Sequence, residues 1–200
     1  MNRNMGCALI VVDMVKDNLK GQHKVAQSAR DLVPKINRLI TTLRSKGTKI
    51  VFACDSFLPE DFIFQSRLTP HCIRGTEGCQ VAEGLNLQRG DIIVEKRRFS
   101  AFFKTDLDQT LRTLQVNTVA VCGITLPYCV LTTALDALSH DFSVVILEDC
   151  TLSFRDEEHK AMTNLYRKGP LYPLLRVMSA EEFLEELEGE DKGKRPNEQK

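Results

Sequence analysis

Five apolar runs punctuate the chain: Cys7–Val12, Lys49–Cys54, Asp91–Val94, Thr118–Cys122 and Ser143–Leu147. They are short, rich in β-branched residues and unbroken by polar alternation, which predicts strands buried on both faces of a parallel sheet. The segments between them carry a helical period. Leu32, Val33, Ile36, Leu39, Ile40 and Leu43 recur at i, i+4, i+7 and i+8 and stop at Gly47, a residue suited to ending a helix. Leu107, Leu111 and Leu114 repeat the pattern before the fourth strand, and Val130, Ala134, Ala137 and Leu138 repeat it after that strand. Strand alternating with helix predicts right-handed crossovers, hence an α/β fold with helices on both faces of the sheet.

Later in the chain a strand is expected near Leu174–Val177, and Ser179 with Glu182 forms a capping box for a last helix through Leu187. Beyond Gly189 the sequence GEDKGKRPNEQK offers nothing apolar to bury. We therefore expect one domain over 1–188 and a mobile tail over 189–200. The stretch from Ser56 to Gly90, broken by Pro59, Pro70, Gly75, Gly78 and Gly84, reads as a long excursion over the sheet edge. Excursions of that length inside a domain are often functional.

Composition narrows the partners. With 27 Lys+Arg against 27 Asp+Glu, the chain has no broad field for phosphate backbone or anionic lipid, and Lys96-Arg97-Arg98 is too short a basic run to supply one. The first apolar run falls short of the ~20 residues that span a bilayer and of a signal-peptide core. A cytoplasmic protein that acts on a small molecule, without nucleic-acid or membrane partners, is expected. Its seven cysteines include no C-x-x-C pair, so most are expected to be buried thiols, with one free to react.

Ligands of open parallel sheets bind beyond the carboxyl ends of the strands, so the first polar residues after each run are candidates. These are Asp13, Asp55, Glu95 with Lys96, the segment from Gly123 to Cys129, and Glu148 with Asp149. Cys129 follows a strand-to-helix turn that contains Pro127, and a helix N-terminus together with a nearby ammonium lowers a thiol pKa. Asp13 can take the thiol proton and pass it to a leaving amine. Read singly, each residue has a plainer role: a buried thiol, a strand cap, one cation in a solvated run. Their joint arrival at strand ends favours chemistry. Glu148, Asp149 and His159 are assigned structural roles.

The stretches ALIVVDMVKD, VEKRRFSAFFKTDL and VCGITLPYCVLTTALDALSHDFSVVILEDC, in this order, resemble the isochorismatase-like cysteine hydrolases, the superfamily of nicotinamidase and N-carbamoylsarcosine amidohydrolase. The resemblance implies a Rossmann-like α/β/α sandwich on a mostly parallel six-stranded sheet. It implies a catalytic triad of Asp13, Lys96 and Cys129, a cis peptide between Ile124 and Thr125, and an oxyanion hole formed by the Thr125 and Cys129 amides. The reaction it implies is cleavage of a small amide or N-carbamoyl compound through a Cys129 thioester, with release of ammonia and no cofactor. The family commonly assembles, so a homodimer or homotetramer is expected.

Two departures bear on the substrate. Nicotinamidases bind a metal through an Asp-x-His pair and a later His, whereas here Asp55 is followed by Phe57, and only His71 matches the later position. A zinc site normally takes about three or four ligands, so no metal is expected, and Asp55 and His71 read as hydrogen-bonded loop residues. Val15 replaces a frequent Gln, which makes that side of the pocket more apolar, and Phe57 and Phe99 are candidate pocket walls. Alternative functions are an ether hydrolase of the isochorismatase type, a redox-sensing thiol partnered by Cys122 or Cys150, and a non-catalytic binding or scaffold protein.

Overall fold

Alternation within each strand sorts its side chains between two cores. In β1 (Gly6–Val12), Leu9 and Val11 join one apolar cluster while Ala8, Ile10 and Val12 join the other. The computed structural model describes residues 6–192. The remaining strands are β2 (Lys49–Asp55), β3 (Ile92–Lys96), β4 (Val116–Ile124), β5 (Ser143–Leu152) and β6 (Leu175–Met178). They form one sheet in the order β3-β2-β1-β4-β5-β6, and every pairing is parallel.

Helices cover both faces, as the periodicity predicts. Helices α1 (Lys16–Leu19), α2 (Lys24–Ser45) and α6 (Ala180–Lys192) pack on the face that carries Leu9, Phe52 and Cys122. The opposite face, with Ile10, Val51 and Val121, receives α3 (Leu107–Thr113), α4 (Leu131–Ser139) and α5 (Asp156–Arg167). The Ser179–Glu182 capping box forms with both reciprocal bonds, Ser179 N–H to Glu182 Oε2 at 2.7 Å and Glu182 N–H to Ser179 Oγ at 3.2 Å. The helix it starts continues to Lys192, past the Leu187 end expected from Gly189, and residues 193–200 of the expected tail lie outside the described residues. No helix among the described residues is long and apolar enough to cross a membrane.

Glu148 and Asp149 lie inside β5 rather than at its end. The pairing of β4 with β5 jumps from Val121↔Ile146 to Gly123↔Thr151, so the intervening residues bulge out of register. Glu148 pairs with Arg167, Asp149 accepts the Ala180 N–H at 2.8 Å, and His159 Nε2 lies 3.1 Å from both Thr151 Oγ1 and the Glu148 carbonyl. All three side chains tie helices to the sheet. Their structural assignment agrees with this geometry.

The strand order creates a switch point between β1 and β4, where successive crossovers leave in opposite directions and a crevice opens at the carboxyl ends. Gly123 brings the two strand ends together. Its φ is +108°, and a Cβ built there would lie 2.1 Å from the Val12 carbonyl oxygen. Backbone rather than a flexible side chain blocks that space, so Gly123→Ala should cost about 3 kcal/mol or more and part the two strand ends. Gly47→Ala, also at positive φ but facing open space, is the control for backbone strain alone. Urea unfolding of both variants should show Gly123→Ala much the weaker, whereas equal midpoints would discount the steric argument.

Candidate active site

Three strand ends and one helix entry converge at the switch point. Asp13 follows β1 with φ +52°, a left-handed conformation rarely adopted by non-glycine residues, while its N–H donates to the Ala53 carbonyl at 2.8 Å. Such outliers gather at functional sites. Its carboxylate, 2% exposed, accepts the Asp55 backbone N–H on Oδ1 at 2.9 Å. Lys96 ends β3 and is fully buried, with Nζ 2.8 Å from Asp13 Oδ2, 2.5 Å from Asp55 Oδ1 and 3.3 Å from the Arg98 carbonyl oxygen. The Cys129 thiol completes the group, since its sulfur and carboxylate oxygens of Asp13 and Asp55 all lie within 4.8 Å of one another.

The segment that delivers Cys129 is more irregular than a simple helix start. After β4 the Ile124–Thr125 peptide is cis, and the chain enters a π-helical turn over Leu126–Val130 before α4 begins. The Val130 N–H donates to the Thr125 carbonyl at 3.3 Å, which closes that wider turn. π-Turns of this kind occur often at functional sites. Cys129 is thus carried on the turn that starts at Thr125 and is buried as a residue.

The electrostatics reverse one expectation. Burial first, and the Asp13 charge second, push the Cys129 thiol well above its ordinary value, and the opposing pull of Lys96 does not compensate. Lys96 also loses by burial, yet Asp13 and Asp55 outweigh that loss and hold its ammonium well above its ordinary value. Asp55 is pushed up to about 7 by burial and the Asp13 charge, against Lys96. The resting site therefore holds an ammonium beside a protonated sulfur, with Asp55 exchanging its own proton near neutrality. A base must remove that proton before sulfur can attack.

Asp55 is no loop residue. It ends β2, is 5% exposed, and stands between the two carboxyl-end groups that the sequence singled out. The signal that locates it is strand order. With β2 lying between β3 and β1, the last residue of β2 must lie between Lys96 and Asp13.

The sequence profile of the Isochorismatase domain matches residues 7–182. The chain belongs to the isochorismatase family. It is 29% identical, over 82% of its length and 91% of the relative's, to a probable inactive nicotinamidase of Arabidopsis thaliana. A ureidoacrylate amidohydrolase of Yersinia enterocolitica is 27% identical, with 82% of this chain and 80% of that one covered. The crystal structure of N-carbamoylsarcosine amidase from Thermoplasma acidophilum superposes with a TM-score of 0.77 at 28% identity, over 88% of this chain and 97% of that one.

The metal of the family's nicotinamidases does not fit this isochorismatase-family site. Asp55 already pairs with the Lys96 ammonium, and the same cation lies on Asp13, so a second positive charge among Asp13, Asp55 and Cys129 would be repelled. At position 57 a phenyl ring replaces any donor, packed edge-on against Phe64 and His71 with centroids 5.3 and 5.6 Å away. His71 Nδ1 lies 2.8 Å from the Thr69 carbonyl, which makes it the hydrogen-bonded loop residue expected.

The candidate pocket walls divide. Phe57 is 2% exposed in the core under α2, on the sheet face opposite Cys129, so it is core packing. Val15 is likewise sealed into that core. Phe99 is 39% exposed and meets Tyr128, the residue before Cys129, at 6.1 Å, and Tyr128 meets Phe154 at 6.2 Å, so three half-exposed aromatic rings form a row beside the turn that carries Cys129. Sequence reasoning missed Tyr128 and Phe154, although their positions directly before Cys129 and just after β5 were legible. Cys122 and Cys150 pack in the core on the other face of the sheet from Cys129, together with Cys54, Cys72 and Cys79. Neither is placed to resolve an oxidised Cys129, which removes the geometric basis for the redox-sensor alternative.

Proposed function

We propose that the protein is a cysteine amidohydrolase that cleaves the C–N bond of a small amide or N-carbamoyl compound. The observation that carries this reading is the meeting of a buried thiol, a carboxylate and an ammonium at the switch point, on a chain whose family relatives include a ureidoacrylate amidohydrolase and an N-carbamoylsarcosine amidase.

The Cys129 sulfur attacks the substrate carbonyl carbon while its proton passes to Asp13, the carboxylate within reach. The oxygen of the tetrahedral intermediate takes the carbonyl π electrons and is held by the Thr125 and Cys129 amides. Asp13 then gives the proton to the departing nitrogen as the C–N bond breaks, which leaves a thioester and ammonia. Water attacks the thioester, losing a proton to Asp13, and the released sulfur takes that proton back. Lys96 stays an ammonium throughout and keeps Asp13 ionised between steps. Atoms balance as amide plus water giving acid plus ammonia, without a cofactor.

The test is ammonia release by the purified protein across small amides, ureido acids and nicotinamide, with Cys129→Ala assayed in parallel. Release from at least one compound that disappears in the variant is expected. Ammonia release that survives Cys129→Ala would overturn the assignment of Cys129 as the nucleophile. Silence across the panel would weigh against amide hydrolysis and towards a binding role.

A further inference from the structure

Asp55 is the one charged member of the buried group that the reaction above does not use. Its carboxylate lies within 4.8 Å of both the Asp13 carboxylate and the Cys129 sulfur, and it makes the shortest contact to Lys96. An ammonium has three N–H donors. Here three oxygens face them: Asp13 Oδ2 at 2.8 Å, Asp55 Oδ1 at 2.5 Å and the Arg98 carbonyl at 3.3 Å. Lys96 donates hydrogen bonds to Asp55 Oδ1 and the Arg98 carbonyl, while Asp13 Oδ2 is held by the ion pair. Asp55 also reaches Asp13 through the backbone, its N–H donating to Oδ1 at 2.9 Å, so one residue fixes both partners of the triad.

We propose that Asp55 is a positioning residue that draws the Lys96 ammonium onto the carboxylates and away from Cys129, so that the free protein keeps its sulfur protonated until a substrate carbonyl is in place. The assignment rests on Cys129 as the reactive group. It does not need the substrate to be an amide.

Charge supports the geometry. One ammonium faces two carboxylates, so a thiolate added to the group would be a second uncompensated anion in a buried space. The groups that face Asp55 are Asp13 from the end of β1, Cys54 beside it on β2, Lys96 from β3, Cys129 from the turn after β4, and His71 with Cys72 from the excursion. Only Lys96, and His71 when protonated, oppose the negative potential there. With position 57 filled by a phenyl ring, Asp55 is left to Lys96.

The experiment reads the Cys129 thiol directly, without substrate. Alkylation by iodoacetamide is followed against pH by mass spectrometry of the peptide that contains Cys129, in the wild type, Asp55→Asn and Asp55→Glu. The Asn side chain keeps an oxygen for Lys96 but removes the charge. Its alkylation midpoint should fall by about one pH unit or more, which makes alkylation near pH 7 about tenfold faster. Asp55→Glu, which restores the charge, should return the midpoint towards the wild type. Should Asp55→Asn fail to fold, Asp55→Ser removes the same charge with less bulk and is read in the same way.

A midpoint that is unchanged or higher in a folded charge-removing variant would overturn the proposal, as would Asp55→Glu behaving like Asp55→Asn. These outcomes are independent of the ammonia assay. Failure of the amidohydrolase reading leaves the alkylation shift intact, and failure of the shift leaves the amidohydrolase reading intact.

Discussion

Replacing Lys96 with methionine should destabilise the fold by about 3–5 kcal/mol at neutral pH, the cost of removing one partner from a buried ion pair. The size follows from what remains. Lys96 is fully buried, and Asp13 and Asp55 are 2% and 5% exposed, so the variant would hold two carboxylates in apolar surroundings without a countercharge. Methionine fills much of the same volume, which makes the loss electrostatic rather than a cavity effect.

The sign of the pH dependence distinguishes these causes. In the variant Asp55, already raised by burial and the Asp13 charge, would lose the opposing pull of Lys96, so stability should fall as the pH rises from about 4 and recover as this carboxyl takes up a proton in acid. A cavity effect would be flat in pH. In the wild type the folded value of Lys96 is raised, so its stabilisation is complete below the unfolded value of about 10.4 and is lost as the pH climbs through the higher folded value. Urea midpoints of Lys96→Met at pH 5 and pH 8 provide the check. Equal losses at both would show that the pair is not charged.

Asp13→Asn should reduce amide turnover by about a hundred- to ten-thousand-fold, the usual worth of a placed general base. The thiol is held protonated by burial and by the carboxylate charge, so without Asp13 its proton has only Asp55, which is itself paired with Lys96, to go to. Residual activity should then climb about tenfold per pH unit, because only the spontaneously ionised thiol reacts. The wild type should lack that slope near neutrality. Asparagine keeps an oxygen for the Asp55 N–H, so the bond at 2.9 Å can survive and the fold should persist. A folded Asp13→Asn protein with near wild-type turnover would remove Asp13 from the proton path.

Much of this molecule is legible without coordinates because the relevant rules are local. Leu9 and Ile10 go to opposite cores because successive side chains of a strand point to opposite faces. Ser179 and Glu182 cap a helix because three residues separate one exposed N–H from the other. The ends of apolar runs mark candidate positions because parallel sheets bind ligands there; Asp13, Asp55, Lys96 and Cys129 are among them, and the family resemblance singles out the triad.

Other properties depend on which strands become neighbours, and no local pattern contains that. Asp55 reads as an ordinary strand-end residue until β2 is found between β3 and β1, where it must share Lys96 with Asp13. Phe57 and Phe99 look alike in sequence, yet one is closed into the α2 core and the other stands half-exposed beside Tyr128. The proton affinity of Cys129 is the clearest case. Its position at a helix entry argues for an easily ionised thiol, whereas burial and two carboxylates brought from distant strands make it a reluctant one. Sequence alone nominates the candidate residues, because strand ends are short-range properties and the resemblance to a known family selects among them. Their charge states belong to the tertiary structure, because desolvation and Coulomb energy depend on distances that only the packed fold sets.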